Sequence, residues 1–233
     1  MEPTLSVTPK LLTVKEVRAN AKVKKLIDGA NEVMKAMGYT EHGQRHAGVV
    51  SSITRYVMEN VGITGRDVEL GQIAGFMHDI GNVVNRINHP LHGASIAFTL
   101  LNEMGMDAAE IAPILGAIGN HEEMAGMPIS PMSAALIIAD KSDVHFSRVQ
   151  NPILETFDIH DRVNYAVQKS RVEIRPPGVE HGQTIELSLE IDTTHATVME
   201  YFEIFLNRMV MCRKSADLLG YKFTLNVNGT YLE

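Results

Sequence analysis

The chain has 233 residues, 45% of them hydrophobic, enough for one large domain or a medium domain with a small appendage. Its net charge of -7 argues against broad nucleic-acid binding driven by electrostatics alone, and its single cysteine, Cys212, excludes an internal disulfide framework and a cysteine-rich zinc site. No apolar run reaches the roughly 18 residues of a membrane span, and Met1 to Lys10 carries Pro and Thr where a signal peptide would carry an apolar core, so a soluble, cytoplasmic protein is expected.

From about Val14 to Ser170 the pattern predicts helix after helix, with breaks at Gly38, Gly62 to Gly65, His89-Pro90, Gly105, Gly126 to Pro131 and Asn151-Pro152. His46, Val49, Val50, Ile53 and Val57 share one helical face, which puts His46 on its buried side. Ile73, Met77 and Ile80 frame His78 and Asp79 in the same way. Pro90 disfavours helical geometry at the residue before it, so His89 is expected in a turn and His92 at the opening of the next helix. Ile111, Ile114, Leu115 and Ile118 lead to His121. Asp140 closes the run Ala134-Ala135-Leu136-Ile137-Ile138-Ala139, which is apolar on every side. Met104, Met106, Met124, Met127 and Met132 read as core and loop packing.

Past Ser170 the period changes. Ile185, Leu187, Leu189 and Ile191 alternate with polar residues as in a half-buried strand, and Val172 with Ile174 predicts an earlier strand before Pro176-Pro177-Gly178. Thr193 or Thr194 is expected to cap a helix carrying Val198, Phe202, Phe205, Met209, Cys212 and Ala216, which stops at Gly220. Tyr221, Phe223, Leu225 and Val227 alternate again before Asn228-Gly229. The chain therefore divides, by period, into a helical domain over 1–170 and a small α+β module over 171–233.

His46, His78, Asp79, His92, His121 and Asp140 all lie on or beside apolar stripes. Ionisable groups facing a core are costly unless hydrogen-bonded, paired or bound to a metal, so these six point to a metal site. A second His-Asp pair, His160-Asp161, follows Asp158 and reads as ordinary helix-start chemistry. His145 reads as a satisfied helix histidine, and His42, His181 and His195 belong to no constellation.

Residues 45 to 141 resemble the HD superfamily of metal-dependent phosphohydrolases. The matching stretches are Arg45-His46, His78-Asp79-Ile80-Gly81, Leu91-His92-Gly93-Ala94, Ile118-Gly119-Asn120-His121 and Ile138-Ala139-Asp140. His92 and His121 make the chain similar to the two-metal branch, which includes HD-GYP phosphodiesterases and HD-type symmetrical diadenosine tetraphosphate hydrolases. The resemblance implies a mainly α fold, an HD-domain helical bundle with a small C-terminal α+β module. It further implies that His46, His78, Asp79 and Asp140 hold one metal, and that Asp79 bridges to a second held by His92 and His121. Asp79 and His121 are then the catalytic residues. The cofactors would be two divalent transition-metal ions, iron, manganese, nickel or zinc. A bridging hydroxide would attack the phosphate ester or anhydride of a small phosphorylated substrate, a nucleotide first among the candidates.

The chain departs from the family in one place. Members often read His-Asp-Ile-Gly-Lys, whereas Asn82 follows Gly81 here, and Arg86, Lys141 and Arg148 are the candidates for replacing that lysine at phosphate. The extended HD-GYP motif is absent, which disfavours cyclic-dinucleotide hydrolysis. Two further classes share the ligand order: an HD-type di-iron oxygenase, and a non-catalytic metal-bound sensor whose tail binds a ligand or another subunit, a homo-oligomer included.

Overall fold

Short polar side chains set where the helices begin. Thr13, Asn20, Asp107, Ser130, Asp158 and Thr197 each accept a hydrogen bond from a first-turn backbone N–H. The computed structural model describes residues 10–178 and 182–232. Among these, the helices are α1 (Val14–Ala19), α2 (Ala21–Ala36), α3 (Gln44–Asn60), α4 (Arg66–Met77), α5 (His89–Glu103), α6 (Ala108–Gly119), α7 (Pro131–Ser142), α8 (Ile159–Ala166) and α9 (Val198–Leu218). A 3₁₀ turn, Ile80–Val83, links α4 to α5. The cap of α9 is Thr197, which closes a capping box with Glu200, and not Thr193 or Thr194. His181 lies outside the described residues.

The fold is mainly α with a small C-terminal sheet, as expected. Strands β1 (Val167–Arg175), β2 (Thr184–Ile191), β3 (Lys222–Val227) and β4 (Thr230–Leu232) pair in that order. β1 and β2 are antiparallel, and β2 and β3 are parallel with α9 as their crossover. β3 turns back into β4 through Asn228-Gly229, both at positive φ, the conformation that a tight hairpin demands. The change of period near residue 170 falls inside β1. One buried core runs from Leu12 through Ala139 to Val227, and α9 packs against α7 at its centre.

Two glycines decide how closely the helix ends approach. A Cβ on Gly75 would stand 2.9 Å from the Ser51 Cα, so only glycine lets α4 lie this close to α3. A Cβ on Gly81 would stand 2.0 Å from the His89 carbonyl oxygen and 2.4 Å from the Gly93 nitrogen. Glycine at 81 therefore lets the 3₁₀ turn rest on the backbone of α5's first turn.

Candidate metal centre

Helix termini bring the polar groups together. His46 sits in the first turn of α3, His78 caps the end of α4, and Asp79 is the next residue. His89 opens α5, His121 follows the C-cap of α6, and Asp140 is in the last turn of α7. His46, His78, His89 and His121 are at most 1% exposed.

Two donor sets form, and Asp79 belongs to both. In the first, His46 Nε2 lies 3.2 Å from His78 Nε2, 3.5 Å from Asp79 Oδ2 and 3.3 Å from Asp140 Oδ1. His78 Nε2 lies 3.4 Å from Asp79 Oδ2 and 3.5 Å from Asp140 Oδ1. In the second, His89 Nε2 lies 3.1 Å from His121 Nε2, 3.2 Å from Asp79 Oδ1 and 3.5 Å from Glu122 Oε2. His121 Nε2 is 3.7 Å from the same Asp79 oxygen. A cation about 2.1 Å from each of four to six donors leaves neighbouring donors roughly 3.0 to 3.4 Å apart, so the donor atoms of both sets lie at, or a few tenths of an ångström beyond, the spacing of a coordination shell.

The far side of each ring fixes its tautomer. His78 Nδ1 donates to Gly75 O at 2.8 Å, His89 Nδ1 to Arg86 O at 3.0 Å and His121 Nδ1 to Ile118 O at 2.6 Å. A carbonyl only accepts, so Nδ1 carries the hydrogen and the neutral ring keeps its lone pair on Nε2, toward the cluster. His46 Nδ1 is held the same way by Asp143 Oδ2 at 2.7 Å. Asp143 is gripped in turn by Arg45, whose Nη2 is 2.7 Å away. Burial disfavours the Asp143 carboxylate, yet His46, Arg148 and Arg45 outweigh it and hold its pKa well below the usual range. Imidazole nitrogens 3.1 and 3.2 Å apart, each with its hydrogen on the opposite side, repel unless a cation or proton lies between them. The donor chemistry thus fits a divalent transition metal.

The charge balance agrees. Burial disfavours a charged His78, but Asp79 and Asp140 outweigh it and raise its pKa to about 10. Burial likewise disfavours ionised Asp79 and Asp140, while His78 holds the first, and Lys141 with His46 the second, well below the ordinary carboxylate range. A proton on His78 therefore competes with a metal at neutral pH and below, and its hold weakens only as pH nears 10. Metal affinity is expected to rise with pH over about 6 to 9, with proton release on binding. Calorimetric titration in buffers of different ionisation enthalpy measures that release; a pH-independent affinity with none would contradict it.

The decisive comparison covers this cluster: residues 44–145, from just before His46 to just after Asp143, match the family model of the HD domain. That segment is similar to an HD domain. HD domains are typically metal-dependent phosphohydrolases. An uncharacterized protein of Methanocaldococcus jannaschii is 25% identical over 162 residues, 60% of this chain and 61% of its own length. The match therefore spans less than two thirds of that relative.

Within residues 44–145, five of the six residues singled out in the sequence meet, and His89 stands where His92 was expected. His92 is half-buried and in none of the donor groups found among the described residues. Asn88, at φ 59°, starts α5 directly before His89, so His89 and Pro90 are its first two residues. First-turn N–H groups have no partner within the helix, so proline costs nothing there, and its bias against the preceding residue is overridden. His92 lies about 4.5 Å further along the axis.

The three candidate phosphate-binding cations separate. Lys141, 3% exposed, pairs with Asp140 and Glu123, and Arg148, 3% exposed, donates to Glu41 O and Asp143 O. Both are committed to the interior. Arg86 lies at the second donor set, with Nη2 3.3 Å from Glu122 Oε2, Nη1 3.3 Å from His89 Nε2 and its guanidinium over the Tyr39 ring. Asn82, in the family's lysine position, is fully buried and donates to Asp79 O.

Asp143 and Glu122 were missed from sequence. Asp143 had a signal, a second carboxylate one turn after Asp140 at the end of an apolar helix. His42 was also passed over: it is 8% exposed, its ring 5.5 Å from that of His46, and burial and Arg148 lower its pKa. His145 caps a 3₁₀ turn and contacts Gln168 O, so it is not a helix histidine. Asp158 does cap α8, and His160 beside it is exposed.

Proposed function

We propose that the protein is a metal-dependent phosphohydrolase with two divalent ions, acting on a small phosphate ester or anhydride such as a nucleotide. His46, His78, Asp79 and Asp140 would hold one ion, and Asp79, His89 and His121 the other, with Glu122 at hand. The observation that carries this is the division of the Asp79 carboxylate, Oδ2 toward His46 and His78 and Oδ1 toward His89 and His121. When bound, the ions supply Lewis-acid charge for a phosphate oxygen and lower the pKa of a water.

The chain's own residues supply the rest. Asp79 orients both donor sets from one carboxylate, and the hydrogen-bonded Nδ1 atoms keep the four rings from turning. Of the three candidate cations, Arg86 is the one at the second donor set, and it is half-buried where Lys141 and Arg148 are buried. Its planar fork suits two oxygens of one phosphate, and Glu122 holds it within reach.

Arg86→Ala is therefore expected to lower kcat/KM by about 10- to 100-fold, the loss of a charge-assisted contact, while metal content stays constant. Arg86→Lys should recover only part, since an ammonium lacks the fork. Loss of metal from Arg86→Ala would instead make Arg86 a support of the ligands.

The reaction is tested by stripping the protein and reconstituting it separately with manganese, iron, cobalt, nickel and zinc. Phosphate release is then followed across nucleotides and phosphoesters, with oxygen uptake recorded in parallel. Metal-dependent phosphate release without oxygen uptake supports the proposal. No turnover of the panel by metal-loaded protein, or oxygen consumption in place of hydrolysis, overturns it.

A further inference from the structure

Lys141 is an ammonium in the interior, so it needs full compensation. Its Nζ lies 2.9 Å from Asp140 Oδ2 and 2.6 Å from Glu123 Oε2. Glu123 stands in the connection between α6 and α7, two residues after His121. Its Oε1 accepts a hydrogen bond from Arg208 Nε at 3.3 Å. Arg208 comes from α9 in the C-terminal part of the chain, and its guanidinium lies 4.4 Å from the Phe205 ring centroid. A line of alternating charge thus runs from α9 to the first donor set through Arg208, Glu123, Lys141 and Asp140.

We propose that Arg208 is a positioning residue, which through Glu123 and Lys141 holds Asp140 with Oδ2 engaged and Oδ1 turned to His46 and His78. On this account, which rests on the metal-centre reading above, the C-terminal part of the chain helps build the site. Lys141 ties up one Asp140 oxygen and leaves the other as a single, directed donor. Glu123 also tethers the connection that carries His121, so the line supports both donor sets. Coulomb's law alone gives the opposite expectation, because removing a nearby cation should tighten the binding of a dication. The sign of the effect separates positioning from bulk charge.

The test uses the full chain, as wild type, Arg208→Gln, Arg208→Lys and Glu123→Gln, titrated with cobalt(II). Affinity and the visible absorption band, which reports coordination geometry, are both read. Arg208→Gln and Glu123→Gln are expected to bind cobalt roughly tenfold more weakly or worse, with an altered band, the cost of losing an outer partner of a metal ligand. Arg208→Lys should restore most of the affinity. If folded Arg208→Gln binds as tightly as wild type, or more tightly, with an unchanged band, the proposal is overturned. Should Arg208→Gln fail to fold, a wild-type affinity and band in Glu123→Gln overturns it equally. Wild type that takes up cobalt while the variants match it rejects only the role of Arg208, whereas wild type that takes up none rejects the metal centre itself and this role with it.

Discussion

Asp79→Ala is expected to abolish metal-dependent hydrolysis and to empty both halves of the centre together. Asp79 divides its two carboxylate oxygens between the donor sets, whereas among the described residues Asp140 pairs with His46 and His78, and Glu122 with His89. Its removal leaves Nε2 atoms 3.1 and 3.2 Å apart with no shared anion to offset a dication. A Lewis-acid contribution of several kcal/mol corresponds to a loss of about a thousandfold or more in rate. Metal analysis and phosphate release measured on one preparation check this. A variant that keeps two ions and turns over would remove Asp79 from the bridging position.

His89→Ala should lose the second ion, and His92→Ala should keep both. His89 Nε2 lies within 3.5 Å of donor atoms from Asp79, His121 and Glu122, while His92 meets none of them. Losing a ligand should cost more than the 10- to 100-fold typical of an outer partner, so affinity at that position should fall by at least about 100-fold. His92→Ala, at a half-exposed position, should change stability by no more than about 0.5 kcal/mol. Parallel titrations rank the two, and the reverse order would restore the assignment that the sequence motif suggests.

The sequence made His46, His78 and Asp140 legible because burial and periodicity coincide: a polar residue within an apolar stripe needs a reason to be there. His89 was hidden by a rule that is sound in general. Proline biases the residue before it away from the helix, yet a helix start tolerates the pair, and nothing local in Asn88-His89-Pro90 says which preference prevails. Glu122 and Glu123 were invisible for another reason. They sit in an irregular connection where no period marks a face, and their partners Arg86, Lys141 and Arg208 are 36, 18 and 85 residues away. The strand-strand-helix-strand order of the tail followed from alternation, but the buried contacts of its helix with α7 did not, because periodicity records which face is buried and not what buries it. Gly81 was read as part of a motif. Its physical task, resting one backbone on another, depends on distances that a string of residues does not carry.

The four histidine rings are held by their outer nitrogens, so the fold itself presses inner lone pairs and two carboxylates into one small volume. Folding without a cation leaves that repulsion uncancelled except by protons, whereas an unfolded chain disperses it. On the proposed function, ion supply bears on how long the chain survives as well as on catalysis: free metal at a thousand times its Kd would add about 4 kcal/mol to the native state. A cell short of the right metal would then lose the protein to proteolysis as well as losing its activity, because the same scarcity that silences the centre raises the fraction of unfolded chains open to attack.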